Sequence, residues 1–297
     1  MKVGILGLDN SHCTIFTEML NHPASRYPVA GATIAGAYRG GTAAFSLSRD
    51  RIGGFTREIT EGFGVPLYDT IEALAQDMDA LLLESCDGRQ HLEQFRKAAC
   101  GKPIFLDKPF ATSSADALEM VRIAEETGTP LLSCSSLRYA AGIVELVGPD
   151  EQLLSCEAFG HAPVLDDYPG LFWYGVHEAE MLFKFMGPGC ERVRCLSHPH
   201  MDLVIGEWRD GRVGVLRGTR FGRAEYGCVV HTGAATRCGM AASEPPTFYF
   251  LLQKIVTFFA TRISPVNIEE TLGIVAFLEA ANRSKELGGV AVSPTRF

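Results

Sequence analysis

The first 135 or so residues of this chain alternate short apolar runs with amphipathic ones, and that alternation permits few folds. The apolar runs are residues 2–6, 29–38, 65–68, 80–84, 104–107 and 130–134. Between them, helical spacing with capping residues predicts helices over 12–21 behind Ser11, over 71–76 behind Asp69 or Thr70, over 91–100, and over 115–127 behind Ser114. The run Ala80-Leu-Leu-Leu-Glu84 lacks the alternation of a half-exposed strand and reads as buried on both faces. Six strands separated by helices predict a doubly wound parallel sheet, an α/β domain over residues 1–135.

After about residue 150 the pattern changes. Residues 153–160 read as a strand, 171–186 as a helix and 192–240 as antiparallel strands, with Asp210-Gly211 marking a hairpin. Residues 247–262 and 268–287 read as helices, the second closing at Gly288-Gly289. The expectation is a second α+β domain over 136–297, built on a mostly antiparallel open sheet.

Composition removes several function classes. The net charge of -8 argues against nucleic acid, which needs a basic surface. No apolar run is long enough for a membrane, and the N-terminus enters a strand pattern without the features of a signal peptide. Nine cysteines stand singly with no C-x-x-C pair, which suits free thiols in a cytoplasmic protein and gives no expectation of a zinc or other metal site. His198-Pro-His200 has metal-like spacing but no evident third ligand, and reads as a strand-end loop.

Two loops carry the chemistry. In Gly101-Lys-Pro-Ile-Phe-Leu-Asp-Lys-Pro-Phe110, Pro109 ends a buried strand just after Asp107 and Lys108. Two charges then sit at the carboxyl edge of a parallel sheet, where ligands bind. The pair reads either as a salt-bridged turn or as a partly desolvated lysine readied for proton transfer. The other loop is Gly7-Leu8-Asp9-Asn10-Ser11-His12, placed where a dinucleotide fold keeps G-x-G-x-x-G. Only Gly7 keeps the fingerprint. Asp9 brings negative charge to the second glycine position and His12 fills the third. Asn10, Ser11 and the helix N-terminus retain donors for a phosphate. Asp9 and His12 either offset each other beside that phosphate or simply pair and shape the turn. After the second strand, Arg39 stands where an acidic residue would hold the ribose of NAD, and favours the 2′-phosphate of NADP.

Taken together, these residues resemble the glucose-fructose oxidoreductase / inositol 2-dehydrogenase (Gfo/Idh/MocA) family. The matching stretches are Val3-Gly4-Ile5-Leu6-Gly7; His91 with Gly101-Lys102 and Asp107-Lys108-Pro109, similar to H…GK-x-V-x-x-E-K-P; Leu137-Arg138-Tyr139; and Gly175-Val176-His177-Glu178-Ala179-Glu180, similar to D-x-G-x-H-x-x-D. The closing helix and strand over 267–292 also match. The resemblance implies a Rossmann domain followed by an open-sheet domain, NADP or NAD as cofactor, and a sugar, polyol or related alcohol or ketone as substrate. Lys108 and His177 are then the proton-handling groups. Gly7, Asp9, Asn10, Ser11, His12, Arg39, Ser85, Asp107 and Lys108 line the cofactor. Arg138, Tyr139, Trp173, Tyr174 and Glu180 face the substrate, Trp173 as a stacking surface and Glu180 within reach of His177. A homodimer or homotetramer through the C-terminal sheet is the implied assembly. Two alternatives stay open: a sugar lyase or epimerase with permanently bound cofactor, and a non-catalytic ligand-binding relative that has lost its phosphate loop.

Overall fold

Strand β1 (Lys2–Leu6) is the centre of the first sheet, its apolar side chains shielded from solvent on both faces. In the computed structural model, which describes residues 1–222 and 225–297, it pairs in parallel with β2 (Thr33–Tyr38) on one side and β3 (Ala80–Leu83) on the other. β4 (Ile104–Leu106) and β5 (Leu131–Leu132) continue outward, giving the order β2-β1-β3-β4-β5. Helices α1 (His12–Asn21), α2 (Ser46–Arg57), α3 (Ile71–Asp77), α4 (His91–Ala98) and α5 (Ser114–Thr127) connect them. The expected parallel α/β sheet is present.

One strand of the expected six is reduced to a single bridge. Residues 65–68 meet β2 only at Ala37–Leu67, with Tyr68 N–H donating to Ala37 O. Pro66 has no N–H to extend the ladder. Counting that bridge, the order is 3-2-1-4-5-6, the classic dinucleotide-binding arrangement, whose switch point lies between β1 and β3. The 29–38 run also forms a strand only from Thr33, after Gly31 takes φ +105.

The second sheet runs β11-β10-β6-β9-β8-β7, built from β6 (Leu153–His161), β7 (Cys190–His198), β8 (Met201–Trp208), β9 (Val213–Thr219), β10 (Gly227–Thr232) and β11 (Thr236–Met240). Residues 223 and 224, inside the stretch read as strands, lie outside the described residues. The Asp210-Gly211 hairpin joins β8 to β9, with Gly211 at φ +86. One pair departs from the antiparallel expectation: β6 and β9 run parallel, so the sheet is mixed. Helices α6 (Gly175–Met186) and α8 (Ile268–Glu286) pack on one face, where Cys156, Val204, Trp208 and Leu216 are buried. The 171–186 helix is shorter than expected, because residues 170–172 form a separate turn.

The chain divides into two compact units, and the division is not a single cut near residue 135. The first unit takes Met1–Ala111, Ala115–Cys134 and Phe248–Val266; the second takes Thr112–Ser114, Ser135–Thr247 and Asn267–Phe297. Most of helix α7 (Thr247–Thr261), expected in the second domain, therefore belongs to the first. Its Phe248 ring lies 4.6 Å from His12 and 5.9 Å from Phe16, and Arg262 donates to Gly101 O at 2.6 Å.

Candidate active site

The glycine-poor loop after β1 has a definite geometry. Gly7 takes φ +94, and a Cβ there would lie 2.4 Å from the backbone nitrogen of Ser85, so glycine is required. Asp9 is fully buried and turns inward. Ser48 Oγ donates to its Oδ2 at 2.6 Å and Cys86 N–H to its Oδ1 at 3.0 Å. Its charge is thus satisfied beneath the loop, and it does not pair with His12. Asn10 is also engaged internally: its amide donates to Glu84 O, and His12 N–H donates to its Oδ1 at 2.7 Å. Ser11 takes the N-cap position of α1 but makes no capping bond, and its exposed side chain is open to solvent.

His12 meets two carboxylates. Its Nδ1 lies 3.1 Å from Asp107 Oδ2 and 3.4 Å from Glu84 Oε2. Burial alone would lower the His12 pKa, but the neighbouring Asp107 charge and the close approach of the Asp107 and Glu84 carboxylates raise it to about 9. Burial, reinforced by the Asp107 charge, pushes Glu84 up to about 7. Asp107 is held below the ordinary carboxylate range: burial opposes this, and the His12 and Lys108 charges outweigh it. Lys108 Nζ stands 3.8 Å from Asp107 Oδ2. The Asp107–Lys108 turn is therefore one part of a larger charged group. Glu84 was read only as the end of a buried strand; a carboxylate closing an all-apolar run was the signal for it.

Of the remaining first-unit candidates, Arg39 is exposed after β2. Ser85 is buried below Gly7 with no hydrogen-bond partner for its hydroxyl. His91 bridges two loops, Nε2 lying 2.7 Å from Ser85 O and Nδ1 3.1 Å from Phe110 O, which is a structural role.

In the second unit, His177 sits half-buried in the first turn of α6. Its Nδ1 is 2.7 Å from Ser135 Oγ, a partner the motif did not reveal. Leu137 N–H donates to the same oxygen at 3.2 Å, so one hydroxyl joins the Ser135 loop to the His177 ring. Rings of Tyr174 and Tyr226 stand 5.4 and 5.7 Å from the imidazole.

Three substrate candidates have other work. Glu180 lies 3.4 Å from Arg138 Nε. Arg138, 4% exposed, also pairs with Glu270, so its guanidinium is committed within the unit. Trp173 is 8% exposed and packs edge-on between Tyr168 and Tyr174, more core than platform. Tyr139 and Tyr174 are half-buried. His198 and His200 are exposed at the β7–β8 turn.

The dinucleotide parts that remain are consistent with a nucleotide ligand. Gly7, Ser11 and the N-terminus of α1 suit a diphosphate, the inward turn of Asp9 removes its charge from the loop surface, and Arg39 is free of burial at the ribose end.

Comparison with known proteins agrees with the architecture. Residues 1–134 match the family model of the Gfo/Idh/MocA oxidoreductase family, NAD-binding Rossmann fold. Similar solved structures include myo-inositol 2-dehydrogenase from Lactobacillus plantarum, at 14% identity and TM-score 0.77, covering 99% of each chain. Another is myo-inositol dehydrogenase from Lactobacillus casei in complex with NAD(H) and myo-inositol, at 16% identity and TM-score 0.75, covering 100% of this chain and 97% of that one. The apo scyllo-inositol dehydrogenase of Lactobacillus casei aligns at 14% identity and TM-score 0.77, over 99% and 98%. No curated protein sequence matches significantly. No helix among the described residues is long and apolar enough to cross a membrane. The family model assigns residues 1–134 to the NAD-binding Rossmann fold of the Gfo/Idh/MocA oxidoreductases, and the fold of the whole chain is shared with the inositol dehydrogenases above.

Proposed function

We propose that the protein is an NAD(P)-dependent oxidoreductase acting on a sugar, polyol or related alcohol or ketone, with Lys108 in the first unit and His177 in the second handling the proton. The observation that carries this reading is the position of Lys108: it stands two residues beyond the end of β4, at the carboxyl edge of the Rossmann sheet, beside the buried carboxylate of Asp107. Oxidising an alcohol requires loss of its hydroxyl proton as the carbon gives up hydride, so a base must stand within hydrogen-bond reach. A bound nicotinamide supplies the hydride acceptor. An ammonium such as Lys108 stabilises developing alkoxide charge, and His177 takes the hydroxyl proton as a neutral imidazole and returns it as an imidazolium in the reverse direction. Gly7, Ser11 and the α1 N-terminus would hold the diphosphate, and Arg39 the 2′-phosphate of NADP. The uncovered face of the second sheet, which carries half-buried Leu203, Ile205, Val215 and Val229, is the proposed surface for a homodimer or homotetramer.

The reading is tested by adding NADH and NADPH to the purified protein and following nucleotide fluorescence and melting temperature. Binding of either, tighter for NADPH, is expected. Absence of binding at millimolar concentration removes the redox reading. With binding established, Lys108→Ala should lower kcat on the accepted polyol by about 10²–10⁴ while leaving cofactor affinity largely intact.

A further inference from the structure

We propose that His12, Glu84 and Asp107 form a binding site for one small divalent metal ion of the zinc class. The three side chains follow three neighbouring strands of the first sheet. β1 leads through its loop to His12, β3 into Glu84 and β4 into Asp107. The site lies at the switch point, where this topology opens a crevice at the strand ends.

The spacing is that of metal ligands. Two donors bound at 2.0–2.1 Å to one tetrahedral zinc stand about 3.3 Å apart. His12 Nδ1 is 3.4 Å from Glu84 Oε2 and 3.1 Å from Asp107 Oδ2. The three donor atoms all lie within 4.8 Å of one another.

A second observation points the same way. Glu84 is completely buried, and neither of its carboxylate oxygens has a hydrogen-bond partner among the described residues. Asp107 Oδ2 and His12 Nδ1 are in the same condition. Buried carboxylates are normally satisfied by donors, because desolvation is costly. Here the unsatisfied atoms converge on each other, which is what a shared cation requires. When His12 offers its Nδ1 lone pair, the carboxylates of Glu84 and Asp107 outnumber the ammonium of Lys108 beside them, so the local charge attracts a cation.

One imidazole and two carboxylates form a nitrogen–oxygen donor set that suits zinc, and they leave a coordination position open to water or to the oxygen of a small ligand. The His12 side chain, 11% exposed, marks the way in. None of the nine cysteines takes part. The inference needs no redox step, and all three ligands lie in the first unit.

The test is a titration of the full-length, chelator-stripped protein with Co2+, whose low-coordinate complexes absorb visible light. Bands saturating at one ion per chain are expected, and X-ray absorption of the loaded protein should show nitrogen and oxygen donors with a single imidazole. Glu84→Gln and His12→Asn should each weaken binding by at least about tenfold. The double variant His198→Ala with His200→Ala should leave binding unchanged. The proposal is overturned if no ion binds, if sulfur or two imidazoles appear, or if binding follows His198 and His200. Where a ligand variant does not fold, the X-ray absorption of the unaltered protein decides. NADH and NADPH binding is measured separately, so either reading can fail without the other.

Discussion

Ser135 Oγ lies 2.7 Å from Nδ1 of His177, and this contact fixes how the imidazole is turned. The serine is the first residue of its stretch in the second unit and the histidine opens α6, so two separate pieces of chain set one imidazole.

Replacing the serine should free the ring. In Ser135→Ala, the side-chain nitrogen shifts of His177 should change as Nδ1 loses its partner, read by NMR. The loss of about one net hydrogen bond, 0.5–1.5 kcal/mol, should lower turnover by roughly tenfold or less. Unchanged nitrogen shifts would mean that the serine does not orient the ring.

Glu178, beside His177 in sequence, is fully buried with neither carboxylate oxygen hydrogen-bonded, and burial raises its pKa well above 4.5. The folded chain therefore holds this proton after the unfolded chain has released it. Stability is full below pH about 4.3 and falls as pH rises toward the folded pKa, by up to about 1.4 kcal/mol per pH unit. Glu178→Gln should flatten this part of the pH dependence of unfolding. Parallel curves for the two proteins between pH 5 and 8 would refute the assignment.

The Arg138 guanidinium stands between Glu180 and Glu270. Glu270→Ala should cost about 3–5 kcal/mol in denaturant unfolding, because it leaves buried positive charge less compensated. A cost near zero would return Arg138 to the list of groups available to a ligand.

Asp9 holds Ser48 Oγ and Cys86 N–H, tying the loop after β1 to α2 and to the loop after β3. Asp9→Ala should destabilise that unit by about 1–3 kcal/mol per orphaned buried donor. Urea unfolding monitored in the presence and absence of NADPH separates this structural cost from any effect on nucleotide affinity.

The α/β alternation was legible because each buried strand, such as residues 80–83, announces itself locally. The pairing direction of β6 and β9 was not, since alternation along a strand is the same for parallel and antiparallel neighbours. Pro66 was the visible reason that residues 65–68 make a bridge and no strand. Lys108 and His177 stood out through their motifs. Glu84 did not, because its carboxylate acquires meaning only when distant His12 and Asp107 fold beside it. Arg138 and Glu180 matched motif positions, yet their charges neutralise each other, a relation that spacing along the chain does not record.

The return of residues 248–266 to the first unit has a consequence for how the protein is made. A nascent chain that has emerged only through residue 134 lacks the helix that packs against His12, Phe16 and Tyr27. The first unit cannot be completed until the ribosome has passed Val266. A fragment cut at the apparent boundary would leave that helix behind and expose the apolar surface it covers.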